Sequence, residues 1–145
     1  MIRRASSDLH NQLQKFLKNE FIATDVVLEK HFSEIGRIAD VVFLKEKLVI
    51  EIQTSLIRIS EMLERQQDYT KLGYSVVWLL YDQVFFGPKK PIVTRFFYNK
   101  KAFVFSYGPQ NRFVFYDLDQ KEVALKMLIR TPPFFQRFIQ FIFGF

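Results

Sequence analysis

The chain has 145 residues, which is enough for one domain with a sizeable hydrophobic core. Hydrophobic residues make up 49% and charged residues 25%, which excludes extensive disorder, and the lack of cysteine excludes disulfides, thiolate zinc sites and cysteine nucleophiles. The net charge is +6, but residues 1–82 carry 11 Lys and Arg against 12 Asp and Glu, whereas residues 83–145 carry 10 against 3. This asymmetry indicates a polyanionic partner, with solubility as the alternative.

The N-terminus does not predict export. Its basic residues are not followed by the apolar run of a signal peptide. No stretch reaches the roughly 18 consecutive apolar residues of a membrane-spanning helix. We therefore expect a cytoplasmic protein with no membrane span.

The first predicted elements are one helix and three strands. Apolar residues at helical spacing predict a helix from Asp8 to about Asn19. Short runs rich in β-branched residues then predict strands, separated by polar turns. These runs cover residues 25–32, 38–44 and 48–53.

A second helix and a buried strand follow. Ser60 is predicted to cap a helix that ends near Leu72, and Gly73 is predicted to stop it in a left-handed conformation. Residues 74–81 form a nearly continuous apolar run, which is typical of a strand buried on both faces of a sheet. The order so far is helix, three strands, helix, strand.

The rest of the chain predicts a further set of strands over residues 92–117, with turns at 99–100 and 108–111. A capping-box pattern predicts a helix over residues 119–130. A short amphipathic helix is predicted over residues 134–143. We expect residues 83–145 to form a basic, aromatic-rich extension of strands and helix, packed on a core formed by residues 1–82.

One constellation on the second and third strands carries chemistry. Folding the hairpin between these strands brings Asp40 opposite Glu51 and Gln53, and alternation places Glu51 and Gln53 on one face. Two carboxylates held in this way repel each other unless a cation lies between them. Hard oxygen ligands suit Mg²⁺ or Mn²⁺. The alternative is a pair of solvated or ion-paired strand-end carboxylates, with an amide satisfied inside the sheet.

The order and spacing of several short motifs resemble the PD-(D/E)xK, restriction-endonuclease-like nucleases, and more narrowly the competence-associated CoiA-like nucleases. The resemblance covers roughly residues 6–82. It rests on His10, Arg37-Ile38-Ala39-Asp40-Val41, Glu51-Ile52-Gln53-Thr54-Ser55, Arg65-Gln66-Gln67-Asp68-Tyr69, Gly73 and Trp78-Leu79-Leu80. It implies an α/β fold with a mixed sheet and an αβββαβ core.

The resemblance also implies roles for individual residues. Asp40 and Glu51 would bind a divalent metal at the scissile phosphate, together with the main-chain carbonyl of Ile52. Gln53 occupies the position where the family usually has Lys, which orients or polarises the attacking water. A neutral amide cannot lower the pKa of that water by its charge, whereas a bound metal can.

Other residues are secondary candidates. Glu29, on the preceding strand, is a possible third carboxylate for the metal. His10 is a candidate for phosphate contact or support of the metal site, with a surface or satisfied core histidine as the alternative. Arg37 is a candidate phosphate contact, with an ion pair to a strand-end carboxylate as the alternative.

Arg65 and Tyr69 lie four residues apart, so that they share one face of the second helix. They are candidates for phosphate contact or for positioning Gln53. The alternative is an ion pair of Arg65 with Glu61 and simple ring packing of Tyr69.

The second part of the chain interleaves basic and aromatic residues between residues 83 and 116, which suits single-stranded or branched nucleic acid. The basic candidates there are Lys89, Lys90, Lys100 and Lys101. The alternative is that most of the rings form the core of a small antiparallel sheet. The phenylalanine-rich C-terminus predicts packing onto the domain, a second subunit or another protein. Attachment to a membrane surface is a weaker alternative, because few basic residues lie nearby.

These observations lead to three hypotheses. The main one is a Mg²⁺- or Mn²⁺-dependent nuclease that hydrolyses DNA phosphodiester bonds in DNA processing, recombination or uptake. The second is a catalytically degenerate nuclease fold that binds nucleic acid, suggested by the missing Lys. The third is an interaction subunit of a larger complex.

Overall fold

The computed structural model describes residues 8–20, 25–86, 91–97, 102–108, 112–117 and 127–128. In chain order, the elements of the first half are α1 Asp8–Glu20, β1 Val26–Phe32, β2 Arg37–Phe43, β3 Leu48–Gln53, α2 Ile59–Lys71 and β4 Ser75–Tyr81. They are followed by α3 Asp82–Phe85, a 3-10 helix Ile92–Phe97, β5 Ala102–Gly108, β6 Arg112–Asp117 and β7 Met127–Leu128. None of the helices in these ranges is long and apolar enough to cross a membrane.

The seven strands of the described residues form one mixed sheet, in which spatial order follows chain order from β1 to β7. The neighbouring strands β3, β4 and β5 are parallel, and the other neighbouring pairs are antiparallel. α2 connects the parallel strands β3 and β4. The division into residues 1–82 and 83–145 stays a prediction, and the pairing of β4 with β5 joins the two parts in one sheet.

Two hydrophobic cores line opposite faces of the sheet, because neighbouring strand residues point to opposite sides. The α1-side core packs Leu17 of α1 against Ile50 and Ile52 of β3. The α2-side core packs Tyr69 of α2 near Trp78 of β4. The residues of β3 that are not apolar therefore lie under α2.

The first six predicted elements are confirmed in order, with small shifts at their ends. Gly73 has the predicted left-handed conformation, with φ of +84°. The prediction that Ser60 caps α2 is wrong: the cap is Arg58, whose backbone is extended and whose side chain makes no capping hydrogen bond. The helix begins earlier because Ile59 packs, partly buried, against the α2-side core.

β5 and β6 confirm two strands of the predicted second set, but residues 92–97 form a 3-10 helix and not a strand. Their β-branched and aromatic residues favour a strand locally. In the structure, Val93 and Phe97 are buried at helical spacing in the α2-side core. The backbone N–H of Thr94 donates to the carbonyl of Pro91 at 3.0 Å, which closes the turn.

The helix predicted over residues 119–130 is wrong at Met127–Leu128, which form β7 and pair with β6. A local capping pattern cannot account for the free backbone groups that the edge of β6 offers to a neighbouring strand. The rest of that helix lies outside the described residues. The turns predicted at residues 99–100 and 108–111 also lie there, apart from Gly108 at the end of β5. The helix predicted over residues 134–143 and the C-terminus beyond it lie outside the described residues too.

Candidate active site

The candidate site forms where β2 and β3 stop pairing with each other. Their register runs from Phe43↔Leu48 to Val41↔Ile50 and ends there. The next opposed residues are Asp40 and Glu51. Their side chains take the place of the backbone hydrogen bonds between the two strands. The backbone N–H of Asp40 donates to Glu51 Oε2 at 3.2 Å, and the N–H of Ile52 donates to Asp40 Oδ2 at 2.8 Å. Each carboxylate therefore fixes the backbone of the opposite strand.

Both carboxylates are withdrawn from water. Asp40 is 6% exposed and Glu51 is 2% exposed. Burial, followed by the nearby charge of Asp40, raises the pKa of Glu51 well above its ordinary value, and the positive charge of Arg65 opposes this shift only in part. Two negative charges held this close together and out of water are therefore costly unless a positive charge offsets them.

α1 supplies polar contacts to Asp40 from one side of the sheet. His10 Nε2 lies 3.1 Å from Asp40 Oδ1, and Gln14 Nε2 donates to the main-chain carbonyl of Asp40 at 2.9 Å. Both side chains are buried, at 7% and 3% exposure. They are four residues apart and thus share one helix face, which places His10 beside the predicted carboxylate.

α2 supplies the contacts to Glu51 from the other side. The hydroxyl of Tyr69 donates to Glu51 Oε1 at 3.0 Å, and Arg65 Nη1 lies 3.8 Å from the same oxygen. Burial and the charge of Glu51 raise the pKa of Tyr69, which keeps the hydroxyl protonated as a donor. Arg65 Nε also donates to Glu61 at 2.9 Å. Tyr69 thus contacts Glu51, whereas the sequence suggested that it contacts phosphate or positions Gln53.

Arg37 links the start of β2 to α2. Its guanidinium donates to Glu61 at 2.8 Å and to Asp68 at 3.0 Å, and it lies 3.7 Å from Glu64. Burial raises the pKa of Glu61, but hydrogen bonds from Arg65 and Arg37 outweigh it and lower that pKa overall. Arg37 therefore ties β2 to α2 through acids of α2. These are not the strand-end carboxylates that its ion-pair alternative named.

Gln53 lies at the end of β3, two residues beyond Glu51. Its amide is buried, and Nε2 donates to the carbonyl of Ser55 at 2.9 Å. The amide is thus held by the backbone of the loop that leads into α2. Ile52, the predicted main-chain ligand, lies between the two, and its side chain packs in the α1-side core.

Glu29 of β1 lies opposite Asp40 in the register, between the pairs Leu28↔Val41 and Lys30↔Ala39. It has a φ of +51° and an exposed side chain. A left-handed conformation costs an L residue about 1–2 kcal/mol, so β1 is strained beside Asp40.

Within the described residues, no three His, Asp or Glu side chains come together in a way that could hold a metal ion. His10 and Glu51 each contact Asp40, but the three do not form such a group, and neither does Glu29 with the two carboxylates. Lys89, Lys90, Lys100 and Lys101 lie outside the described residues.

Gln14 is the site residue that the sequence analysis missed. It follows Leu13 and precedes Leu17, both of which are buried in the α1-side core. A polar residue on the buried face of an amphipathic helix needs a hydrogen-bond partner, and this was the available indication. Its partner is a backbone carbonyl, which no sequence motif marks.

The model of a known protein family matches most of the chain. The family model described as "Competence protein CoiA, nuclease-like domain" matches residues 7–137. The chain belongs to this family of CoiA nuclease-like domains. The match is longer than the resemblance found over residues 6–82, and it extends over β5, β6 and β7. No curated protein and no solved structure matches the chain.

Proposed function

We propose that this CoiA-type domain is a divalent-metal-dependent nuclease that hydrolyses DNA phosphodiester bonds at Asp40 and Glu51. The observation that carries the proposal is the pair of buried carboxylates that face each other where β2 and β3 separate. Family membership supports it, and the order α1–β1–β2–β3–α2–β4 agrees with a restriction-endonuclease-like core. The family description points to DNA uptake and its associated recombination as the setting.

The donor set fits Mg²⁺ or Mn²⁺. Asp40 and Glu51 offer hard carboxylate oxygens, and the main-chain carbonyl of Ile52 lies between Glu51 and Gln53 in the sequence. An oxygen that accepts one hydrogen bond still has a second lone pair for a cation. Mg²⁺ usually keeps several waters and takes only one or two carboxylates together with phosphate oxygens, so a third acid is not required.

A bound divalent ion would supply a more acidic water and would stabilise charge that develops on the phosphate. The protein's own groups fix the geometry. Asp40 is held through its carboxylate by His10 and the N–H of Ile52, and Glu51 is held by the hydroxyl of Tyr69. Groups fixed before the reaction need no reorganisation when charge develops.

Gln53 and Arg65 complete the proposed chemistry. Because Nε2 of Gln53 is bonded to Ser55, the carbonyl oxygen of the same amide is the group that would accept a hydrogen bond from the attacking water and orient it. Arg65 is half-buried beside Glu51 and carries a permanent positive charge. It would contact the scissile phosphate, which is then neutralised on the side of α2.

The experiment compares the wild type with Asp40→Asn and Glu51→Gln. Calorimetry would measure Mn²⁺ and Mg²⁺ binding, and gels would measure cleavage of single-stranded, duplex and branched DNA. We expect both variants to fold, to bind DNA and to lose cleavage by at least about 10³-fold, with weakened metal binding. Glu64→Gln is the control, because Glu64 is an exposed acid of α2. Full cleavage by both variants would overturn the proposal.

One observation favours a second candidate, a degenerate nuclease fold that binds nucleic acid. Gln53 replaces the usual Lys, and its amide is bonded to the loop backbone. This candidate predicts salt-dependent DNA binding by the wild type with neither metal binding nor turnover. The same titration therefore separates the two candidates.

A further inference from the structure

We propose that Gln14 is a positioning residue, which fixes the carboxylate of Asp40 by holding the main-chain carbonyl of the same residue. The inference rests on the proposed function for its effect on cleavage. It assigns no contact with substrate to Gln14.

Two side chains contact the backbone of Asp40, at the end of the pairing between β2 and β3. The flanking residues Ala39 and Val41 are paired with residues of β1. Pairing of β2 with β3 begins only at Val41. The N–H of Asp40 donates to Glu51, and its carbonyl accepts from Gln14. A change in either side chain therefore acts directly on the position of this backbone.

Packing alone does not explain why the polar amide of Gln14 is buried. It is 3% exposed, and Leu13 and Leu17 of the same helix are completely buried, at 0% and 1%. An apolar residue at position 14 would suit this surface, and a buried amide is destabilising unless it is hydrogen-bonded. The bond to Asp40, at 2.9 Å, satisfies it. The polar residue is thus explained by its contact with the site.

α1 gives this contact a rigid support. Leu13 and Leu17 anchor the helix in the α1-side core, and His10 contacts Asp40 Oδ1 one turn before Gln14. The helix therefore holds residue 40 at two points, the carboxylate and the carbonyl. Without the contact to the carbonyl, the carboxylate can rotate about its contact with His10. A displacement of about 1 Å at a catalytic group can lower the rate about 10²-fold.

The test replaces Gln14 by Met, which has a similar size and suits the apolar core but cannot donate a hydrogen bond. We expect kcat to fall about 10–100-fold with KM for DNA unchanged, and Mn²⁺ affinity to fall about 10-fold. Gln12→Met is the matched control, because Gln12 is an exposed glutamine of the same helix. A structural role alone would lower the melting temperature without this split between kcat and KM.

A readout that does not depend on activity is the amide of Ile52, whose N–H donates to Asp40 Oδ2 at 2.8 Å. If Gln14 positions Asp40, hydrogen exchange at this amide will be faster in Gln14→Met than in the wild type and in Gln12→Met. Unchanged exchange together with unchanged kcat would overturn the inference. If the wild type neither cuts DNA nor binds metal, the proposed function fails, and the exchange rate of Ile52 still tests the contact.

Discussion

The two carboxylates of the candidate site are held by two different kinds of surroundings. On the side of α1, Asp40 contacts an imidazole and an amide, His10 and Gln14. On the side of α2, Glu51 contacts a phenol and a guanidinium, those of Tyr69 and Arg65, and Arg65 is also paired with Glu61. The α1 side thus offers two short contacts, at 3.1 and 2.9 Å, and the α2 side offers one, at 3.0 Å, together with the positive charge of Arg65 at 3.8 Å.

This difference assigns separate tasks to the two helices. Contacts to a main-chain carbonyl and to a single carboxylate oxygen determine where Asp40 lies. Burial and the charge of Asp40 raise the pKa of Glu51, and the positive charge of Arg65 on the α2 side opposes this shift, so that α2 affects how readily the carboxyl ionises. Changes on the α1 side should therefore alter geometry, and changes on the α2 side should alter pH dependence and the docking of α2.

The largest effect on stability is expected from Arg37→Met, which leaves Glu61 and Asp68 without their partner from β2. The guanidinium is mostly buried, with 17% of the side chain exposed, and hydrogen bonds between charged groups contribute about 1.5–3 kcal/mol. Partial exposure of the acids reduces this. We expect the free energy of unfolding in urea to fall by about 2 kcal/mol.

The control for Arg37→Met is Arg58→Met, an exposed arginine at the start of α2, which we expect to change stability by less than about 0.5 kcal/mol. DNA affinity distinguishes two roles of Arg37: a tether, which only ties β2 to α2, and the phosphate contact suggested by the sequence. A tether predicts that Arg37→Met binds DNA with the same salt dependence as the wild type. A loss of about one unit in the salt slope, with stability unchanged, would contradict it.

A smaller effect, opposite in sign, is expected from Glu51→Gln. The pKa of Glu51 is raised in the folded state, so the folded state binds more protons than the unfolded chain, where the pKa is about 4.3. The contribution of Glu51 to stability is therefore fully present below that value and is lost as pH rises through the raised pKa. We expect Glu51→Gln to exceed the wild type by about 1 kcal/mol at pH 8 in the absence of metal.

The difference between Glu51→Gln and the wild type should shrink as the pH is lowered toward 4.3, which urea titrations at several pH values would measure. Glu34→Gln, in the exposed turn after β1, is the control and should show no such trend. A constant difference between the two proteins across pH would show that Glu51 titrates in the same way folded and unfolded, against the raised pKa.

Local patterns sufficed to predict the first six elements and the pair at the centre of the site. The spacing between Asp40 and Glu51 fixes their opposition once the hairpin turn is located, because each strand residue advances by a constant rise. The alternation of Ile50 and Ile52 with polar residues predicts that Glu51 and Gln53 share a face. Both are properties of one hairpin, so residues that are close together in the sequence are enough to predict them.

Contacts between distant elements were harder to predict. The bonds of Gln14 to Asp40 and of Tyr69 to Glu51 span 26 and 18 residues and depend on how the helices pack on the sheet. The 3-10 helix at residues 92–97 likewise follows from burial of Val93 and Phe97, against their strand propensity. Tertiary packing overrides local preference at such places.

An effect no larger than that of Glu51→Gln, but the one that sharpens the comparison most, is expected from Tyr69→Phe. It removes the hydroxyl that donates to Glu51 but keeps the ring, which packs edge-on against Phe32 with centroids 5.8 Å apart. We expect about 1 kcal/mol less stability at pH 8, where Glu51 is most ionised, and less difference near pH 4.3.

Tyr74→Phe is the matched control for Tyr69→Phe, because the ring of Tyr74 also packs on Phe32, at 5.2 Å. If α2 governs charge and α1 governs geometry, hydrogen exchange at Ile52 will stay at the wild-type rate in Tyr69→Phe, although it rises in Gln14→Met. Faster exchange at Ile52 in both variants would mean that both helices hold Asp40 in place. The separation of tasks would then fail, because a change at Glu51 would reach the amide bonded to Asp40 as readily as a change at Gln14.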